Sequence, residues 1–126
     1  MLLLGTPKLK ELMLLKKLFL DDVRTVDMVY GESHINQYYT VRSYNEFINF
    51  IKKNGLPDFI SFDNDLGLDE EGNTAKEGYD AAKWLVYESN LDLKNLKFKV
   101  HSSNPVAKKN IYYLLSNYIK YLNNKV

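Results

Sequence analysis

The sequence contains no cysteine, which excludes disulfide bonds and thiolate metal sites anywhere in its 126 residues. This absence is common in reducing compartments, and we expect a cytoplasmic location. No apolar run approaches the roughly 18 residues that a membrane-spanning helix requires. The opening MLLLG is too short for the core of a signal peptide and has no basic residue ahead of it. We therefore expect no membrane segment.

An excess of charge of either sign is also absent, because the formal net charge is only +1. Such a balance gives no general attraction to DNA or to an anionic membrane, so any recognition of phosphate must be local, and we expect no DNA sequence recognition. The length predicts a single domain over residues 1–126. Residues 1–14 are ambiguous: they fit an extra strand, a loose helix, a disordered extension, or an upstream start ahead of Met13.

The rest of the chain alternates strand-like and helix-like segments, which predicts an α/β fold with a mostly parallel sheet. Four strands are expected in the segments KLFLDD, INQYYTVRS, DFISFD and LKFKVHS. Helices follow the second, third and fourth strands, and residues 25–34 resemble a long loop, with or without one helical turn. Right-handed crossovers in a doubly wound sheet then give the strand order 2-1-3-4.

Three helix starts carry capping signals. Ser43 with Glu46, and Thr74 with Glu77, match the capping-box spacing. Asn104 precedes a proline, which is typical of an N-cap followed by the first helical position.

Polar side chains follow three of the predicted strands. In a parallel sheet, the carboxyl ends of the strands lie at one edge, where ligands bind. We therefore expect a shared site at this edge, and its candidate residues are Asp21, Asp22, Asp63, Asp65, His101, Ser102 and Asn104.

The four carboxylates would repel one another unless a cation balanced them. Oxygen ligands without cysteine suit a hard divalent ion, so we predict Mg²⁺, or another divalent cation, on Asp21, Asp22 and Asp63. The alternative for each acidic pair is an ordinary strand-end turn or helix cap. An EF-hand is not predicted, because Leu68 stands where that loop requires glycine.

The remaining candidates suit acid–base chemistry and phosphate binding. His101 can act as a general acid or base, although a histidine at a strand end is as often structural. Ser102 and Ser103, with free N–H groups opening the last helix, can bind phosphate oxygens. Asn104 fits an N-cap, a ligand contact or both. Arg24 can contact phosphate in bidentate fashion, or form a salt bridge to Asp22 or Asp27.

Five segments in order, LFLDDVRT, VRSYNEF, FISFDNDLG, GYDAAKWL and VHSSNP, resemble the cyclic-phosphate processing receiver-like domain, a derivative of two-component receivers. The resemblance covers roughly residues 16–122. It implies a receiver-like or flavodoxin-like three-layer sandwich. It also implies action on cyclic phosphates, borne by RNA ends or by small nucleotides.

The resemblance also assigns individual positions. Asp21 and Asp22 match the acidic pair that holds Mg²⁺ in receivers, and Asp63 matches the aspartate that receivers phosphorylate. Asp65 belongs to the family pattern FDxDLG, in which Asn64 replaces a common histidine. His101, Ser102 and Asn104 match the pattern HSxNP. No fifth strand ending in lysine follows the last helix, which argues against phosphorelay switching.

Three functions remain open at this point. The first is metal-dependent hydrolysis of a cyclic phosphate, with His101, Asp63 and Asp65 as catalytic residues. The second is capture of a cyclic nucleotide or phosphate ligand without turnover. The third is a receiver-type switch phosphorylated on Asp63.

Overall fold

The computed structural model describes residues 17–125. Four strands lie in this range: β1 (Lys17–Leu20), β2 (Tyr38–Val41), β3 (Phe59–Phe62) and β4 (Lys97–Val100). The helices are α1 (Val26–Tyr30), a 3₁₀ helix (Glu32–Gln37), α2 (Tyr44–Asn54), α3 (Gly78–Tyr87) and α4 (Pro105–Asn124). The predicted extension over residues 1–14 lies outside the described residues.

The described strands form one parallel sheet in the order β2-β1-β3-β4, which confirms the predicted fold class and topology. The two central strands, β1 and β3, are apolar runs buried on both faces, as a parallel sheet requires. No fifth strand follows α4 in the described range, in agreement with the sequence.

The sheet separates two hydrophobic clusters, which makes the fold a three-layer sandwich. The larger cluster joins one face of the sheet to α2, α3 and α4, and it includes Leu18 and Leu20 of β1. The smaller one joins the other face to α1, through Phe19, Val26 and Tyr38. Alternate residues of β1 therefore point to opposite layers, as expected from the two-residue period of a strand.

Two helix starts were predicted correctly. The Ser43 hydroxyl accepts a hydrogen bond from the backbone N–H of Glu46, and the amide oxygen of Asn104 accepts from the N–H groups of Val106 and Ala107. These bonds satisfy donors that the first turn of a helix leaves without intrahelical partners.

The start predicted at Thr74 is wrong. The helix begins at Gly78 with Glu77 as its N-cap, and the Asp80 carboxylate accepts a hydrogen bond of 2.7 Å from the Glu77 N–H. Thr74 instead forms an isolated antiparallel bridge with Leu68. Two capping-box patterns thus follow one another, Thr74 with Glu77 and Glu77 with Asp80. The second one caps the helix, while Thr74 pairs with Leu68 in the loop.

One boundary differs from the prediction, because the expected loop over residues 25–34 contains α1 and the beginning of the 3₁₀ helix. The second strand spans Tyr38–Val41, the four residues of INQYYTVRS that were expected to form it. Among the described helices, none combines the length and the apolar character needed to cross a bilayer.

Candidate active site

The ends of β1, β3 and β4 place three titratable side chains side by side. Leu20 pairs with Phe62, and Phe62 pairs with Val100, so the residues that follow them are neighbours. These residues are Asp21, Asp63 and His101, and one ligand atom from each lies within 4.8 Å of the others. The backbone ladder continues into the site, because the N–H of Asp63 donates to the carbonyl of Leu20 at 2.9 Å.

The Asp21 carboxylate is buried and fully hydrogen-bonded. One oxygen, Oδ1, accepts from the backbone N–H groups of Val23 and Arg24, at 3.0 and 2.8 Å. The other, Oδ2, accepts from Nε of Arg24 at 2.9 Å and from Nε2 of His101 at 3.0 Å. Burial raises the pKa of Asp21, but these donors outweigh it and the pKa lies below its usual value. Asp21 therefore stays ionised, with both oxygens committed to internal partners.

The Arg24 guanidinium connects the two strand ends. Besides Asp21, its NH2 group contacts Oδ1 of Asp63 at 3.3 Å and donates to the carbonyl oxygen of His101 at 3.2 Å. Of the sequence alternatives, the structure shows a salt bridge, but to Asp21 and Asp63 rather than to Asp22 or Asp27. More than a third of the side chain (37%) is exposed, so part of Arg24 is accessible to an anionic ligand.

Arg42 holds the backbone of the loop that carries Asp21 and Arg24. Its NH1 group donates to the backbone carbonyls of Asp21, at 3.1 Å, and Arg24, at 2.7 Å. It thereby fixes the loop after β1.

The Asp63 carboxylate has unused hydrogen-bonding capacity. Its Oδ1 accepts from the Asn64 N–H at 2.8 Å and pairs with Arg24. No hydrogen bond to Oδ2 is present among the described residues, and no buried polar side-chain atom there lacks a partner, so Oδ2 is open to solvent. Burial, and then repulsion from Asp21, raises the pKa of Asp63 to about 6. One carboxylate oxygen is therefore available beside a guanidinium.

Asp22 and Asp65 lie at the outer side of the site. Asp22 is half-buried, and burial, followed by repulsion from Asp21 and Asp65, raises its pKa. Asp65 is exposed, and its Oδ1 accepts a hydrogen bond of 3.3 Å from the N–H of Gly67. Gly67 adopts a positive φ of 80°, which turns the loop next to the Asp22 carboxylate.

His101 is held on both sides of its ring. Nε2 donates to Asp21, and Nδ1 lies 2.7 Å from the Ser61 hydroxyl. The ring stacks on Phe19, with centroids 4.6 Å apart and planes 1° from parallel. Burial lowers the pKa of His101, although Asp21 opposes this effect. The imidazole is neutral near pH 7, and both nitrogens are occupied.

Of the predicted phosphate ligands that follow β4, Asn104 caps α4, and Ser102 accepts a hydrogen bond from the backbone of that cap residue. The buried Ser102 hydroxyl accepts from the Asn104 N–H at 3.1 Å, and Asn104 accepts from the first turn of the helix. Ser103 is exposed, and no hydrogen bond of its side chain occurs within the described residues. The structure thus leaves Arg24 and Ser103 more accessible to an anion than Ser102 or Asn104.

Sequence reasoning missed Ser61, and it did not predict the contacts that Tyr30 and Arg42 make in the site. Ser61 carried a signal, because it is a polar residue inside the apolar run FISF and is fully buried. A buried hydroxyl requires a partner. Tyr30 was a candidate for stacking on a base and Arg42 for a phosphate contact or a salt bridge, whereas the structure shows hydrogen bonds to Ser61 and to backbone carbonyls.

The donor set fits a hard divalent cation. Four carboxylates, from Asp21, Asp22, Asp63 and Asp65, share this edge with the Arg24 guanidinium. Burial first, and then repulsion between neighbouring carboxylates, raises the pKa of Asp22 and of Asp63. Because both Asp21 oxygens already accept two hydrogen bonds, Asp22 and Asp63 are the residues best able to hold the ion. Magnesium commonly binds through one or two carboxylates and keeps several waters.

A comparison with protein families matched residues 16–117 to the cyclic-phosphate processing receiver domain. A search of curated proteins and a search of solved structures found no match. The matched range covers all four strands and most of α4. The chain therefore belongs to the cyclic-phosphate processing receiver domain family.

Proposed function

We propose that the protein hydrolyses a cyclic phosphate diester, carried by an RNA end or by a small nucleotide, in a reaction that requires a divalent cation. The observation that carries the proposal is the Asp63 carboxylate. The carboxylate is almost completely buried, one of its oxygens has no internal partner, and its pKa is raised to about 6 in the absence of a cation. Such a perturbed group at a strand end is a candidate for a functional role.

Asp22 and Asp63 are the proposed ligands for the cation. A bound Mg²⁺ ion would polarise a phosphoryl oxygen and favour ionisation of a water molecule. The pKa of each carboxylate is raised, so a cation would compete with a proton that each group binds more tightly than usual.

Arg24 is the proposed phosphate ligand. Hydrolysis adds water across one P–O ester bond and converts a diester of charge −1 into a monoester of charge close to −2. The guanidinium favours this gain of charge, because it is partly exposed and is held in place by Asp21. The Ser103 hydroxyl and the amino end of α4 lie in the loop after β4, at the same edge.

His101 is proposed to position Asp21 rather than to transfer protons. Both of its nitrogens are engaged within the fold, and general catalysis requires a nitrogen that can reach the substrate. Asp65, which is exposed, remains a candidate for exchange of protons with solvent.

Because both ring nitrogens of His101 are already hydrogen-bonded, a second candidate function is also favoured, which is capture of the cyclic phosphate without turnover. A binding module needs Arg24 and a cation, but no free acid–base group. The two functions differ in the fate of the ligand.

Phosphorus NMR distinguishes them. The protein is incubated with 2′,3′-cyclic and 3′,5′-cyclic mononucleotides, and with a short RNA that ends in a 2′,3′-cyclic phosphate, in Mg²⁺ or in EDTA. Hydrolysis predicts conversion to a monoester in Mg²⁺ only, slowed at least about a hundredfold by Asp63→Asn. Asp92→Asn, in the exposed loop before β4 and thus at the opposite edge of the sheet, should leave the rate unchanged.

Recovery of intact ligand, together with calorimetric binding that needs Mg²⁺ and Arg24, would support capture. Absence of both turnover and binding for every ligand would refute the proposed function.

A further inference from the structure

A continuous chain of hydrogen bonds leads from the α1 side of the sheet into the site. The Tyr30 hydroxyl lies 2.6 Å from the Ser61 hydroxyl. Ser61 lies 2.7 Å from Nδ1 of His101, and Nε2 of His101 lies 3.0 Å from Oδ2 of Asp21. Four residues from α1, β3 and the ends of β1 and β4 are thus joined in one series.

The chemistry of the groups determines the direction of every bond. An ionised Asp21 carboxylate can only accept, so Nε2 of His101 carries the proton. A neutral imidazole with its proton on Nε2 has an acceptor at Nδ1, so Ser61 donates to it. The single Ser61 proton is then committed, and Tyr30 must donate to Ser61.

The surroundings leave these groups few alternatives. Ser61 is completely buried in β3, and the His101 ring is clamped against Phe19. The Tyr30 ring stacks on Tyr38 at 5.5 Å, with planes 1° from parallel. Rings held in this way keep the donors and acceptors aligned, as outer partners of a functional histidine do in other sites.

We infer that Tyr30 and Ser61 are positioning residues that fix His101 in its Nε2–H tautomer, so that Asp21 keeps the orientation in which it binds Arg24. The link from Arg24 to the substrate phosphate rests on the proposed function. The link from Tyr30 to the tautomer does not.

The first measurement is ¹⁵N NMR of the histidine rings in the metal-free protein. The chain has two histidines, and His34→Gln assigns the other signal. The inference predicts a protonated Nε2 and an unprotonated Nδ1 whose resonance shows an accepted hydrogen bond. Ser61→Ala should shift the Nδ1 resonance further downfield, or mix the tautomers, and Tyr30→Phe should cause a smaller shift in the same direction.

Tyr38→Phe is the matched control. It removes one hydroxyl from the same aromatic cluster, and that hydroxyl has no hydrogen bond to the described residues. The His101 spectrum should not change. Tyr30→Phe also serves as the second variant if Ser61→Ala fails to fold, since phenylalanine keeps the stacked ring.

The second measurement is the kinetics of the hydrolysis. Ser61→Ala should lower kcat/KM about tenfold and Tyr30→Phe about threefold, the range expected for loss of a single buried hydrogen bond. The double variant should be no slower than Ser61→Ala alone, because both changes act through the same series of hydrogen bonds.

The inference is overturned if the wild-type ring carries its proton on Nδ1, or if Ser61→Ala changes neither the spectrum nor the rate. If the spectra respond as predicted but the wild type hydrolyses and binds no cyclic phosphate, the proposed function fails while the positioning of His101 stands.

Discussion

The α-carbon of Gly78 lies against the backbone carbonyl of Asp63, so closely that a Cβ at this position would come within 1.9 Å of the carbonyl oxygen. The N–H of Gly78 donates to the Asn64 carbonyl at 2.8 Å, and the N–H of Tyr79 donates to the Asn64 side chain at 3.0 Å. The first turn of α3 thus binds the segment that carries Asp63. Only glycine permits this approach.

Gly78→Ala should therefore destabilise the protein by about 1–3 kcal/mol, the usual cost of overpacking, although alanine is favoured over glycine by about 1 kcal/mol inside a helix. Urea unfolding measures the change. Gly72→Ala is the comparison: Gly72 has a φ of 82° with no atom near a Cβ, so it tests backbone strain alone, at about 1–2 kcal/mol. Undiminished stability of Gly78→Ala would contradict the close approach.

The pKa of Asp63 predicts how stability depends on pH. Burial first, and then Asp21, raises this pKa from 3.8 to about 6. The folded protein therefore holds the proton more tightly than the unfolded chain, and this carboxyl lowers stability as the pH rises from about 4 to about 6. The difference corresponds to about 3 kcal/mol above pH 6.

Asp63→Asn should accordingly be more stable than the wild type at pH 7.5 in EDTA, by up to about 3 kcal/mol, with the difference disappearing near pH 4. Chemical unfolding at a series of pH values tests this, with the exposed Asp65→Asn as control. Added Mg²⁺ should stabilise the wild type by about 2.7 kcal/mol at one hundred times its dissociation constant, and should not stabilise Asp63→Asn. If Asp63→Asn were less stable than the wild type at pH 7.5, the hydrogen bond and the ion pair of the Asp63 carboxylate would outweigh the cost of burying its charge, and the prediction would be wrong.

Arg24 opposes the charge of two carboxylates, so its removal should be costly. Arg24→Gln should lower stability by about 1–3 kcal/mol at pH 7, less than for a fully buried pair because the side chain is partly exposed. The loss should be smaller at pH 5, where Asp63 is largely protonated. Arg24→Lys should recover part of the loss, because it keeps the charge but not the fork that reaches both partners.

Lys83→Gln is the control for this prediction. Its contact with Asp80, at 3.5 Å, is partly exposed, and loss of such a pair should cost at most about 1 kcal/mol. Equal losses for Arg24→Gln and Lys83→Gln would mean that the bridge between Asp21 and Asp63 contributes little.

The start of α3 gives a test of the corrected helix boundary. Asp80→Ala should cost about 1 kcal/mol, because it removes the acceptor for the Glu77 N–H. Thr74→Ala should change stability by less than about 0.5 kcal/mol, since Thr74 is exposed and does not cap the helix. The reverse order of these two effects in thermal unfolding would restore the boundary predicted from the sequence.

Much of the architecture follows from patterns that act over a few residues. Buried apolar runs indicated β1 and β3, and local capping residues marked the starts of α2 and α4. The order of the sheet followed from the handedness of crossovers. The failure at Thr74 has a physical cause, because two adjacent segments offered similar caps and a contact outside the local pattern chose between them.

Local hydrophobic patterns were enough to predict that acids and an imidazole would reach one edge of a parallel sheet, since strand ends and their order depend on those patterns. The contacts between the groups came only from the packed fold: Arg24 lies between Asp21 and Asp63, and His101 lies between Asp21 and Ser61. His101 lies 80 residues from Asp21 and 40 from Ser61 along the chain. Hydrogen bonds depend on distances and angles set by the register of packed strands, and no local pattern of residues encodes those distances.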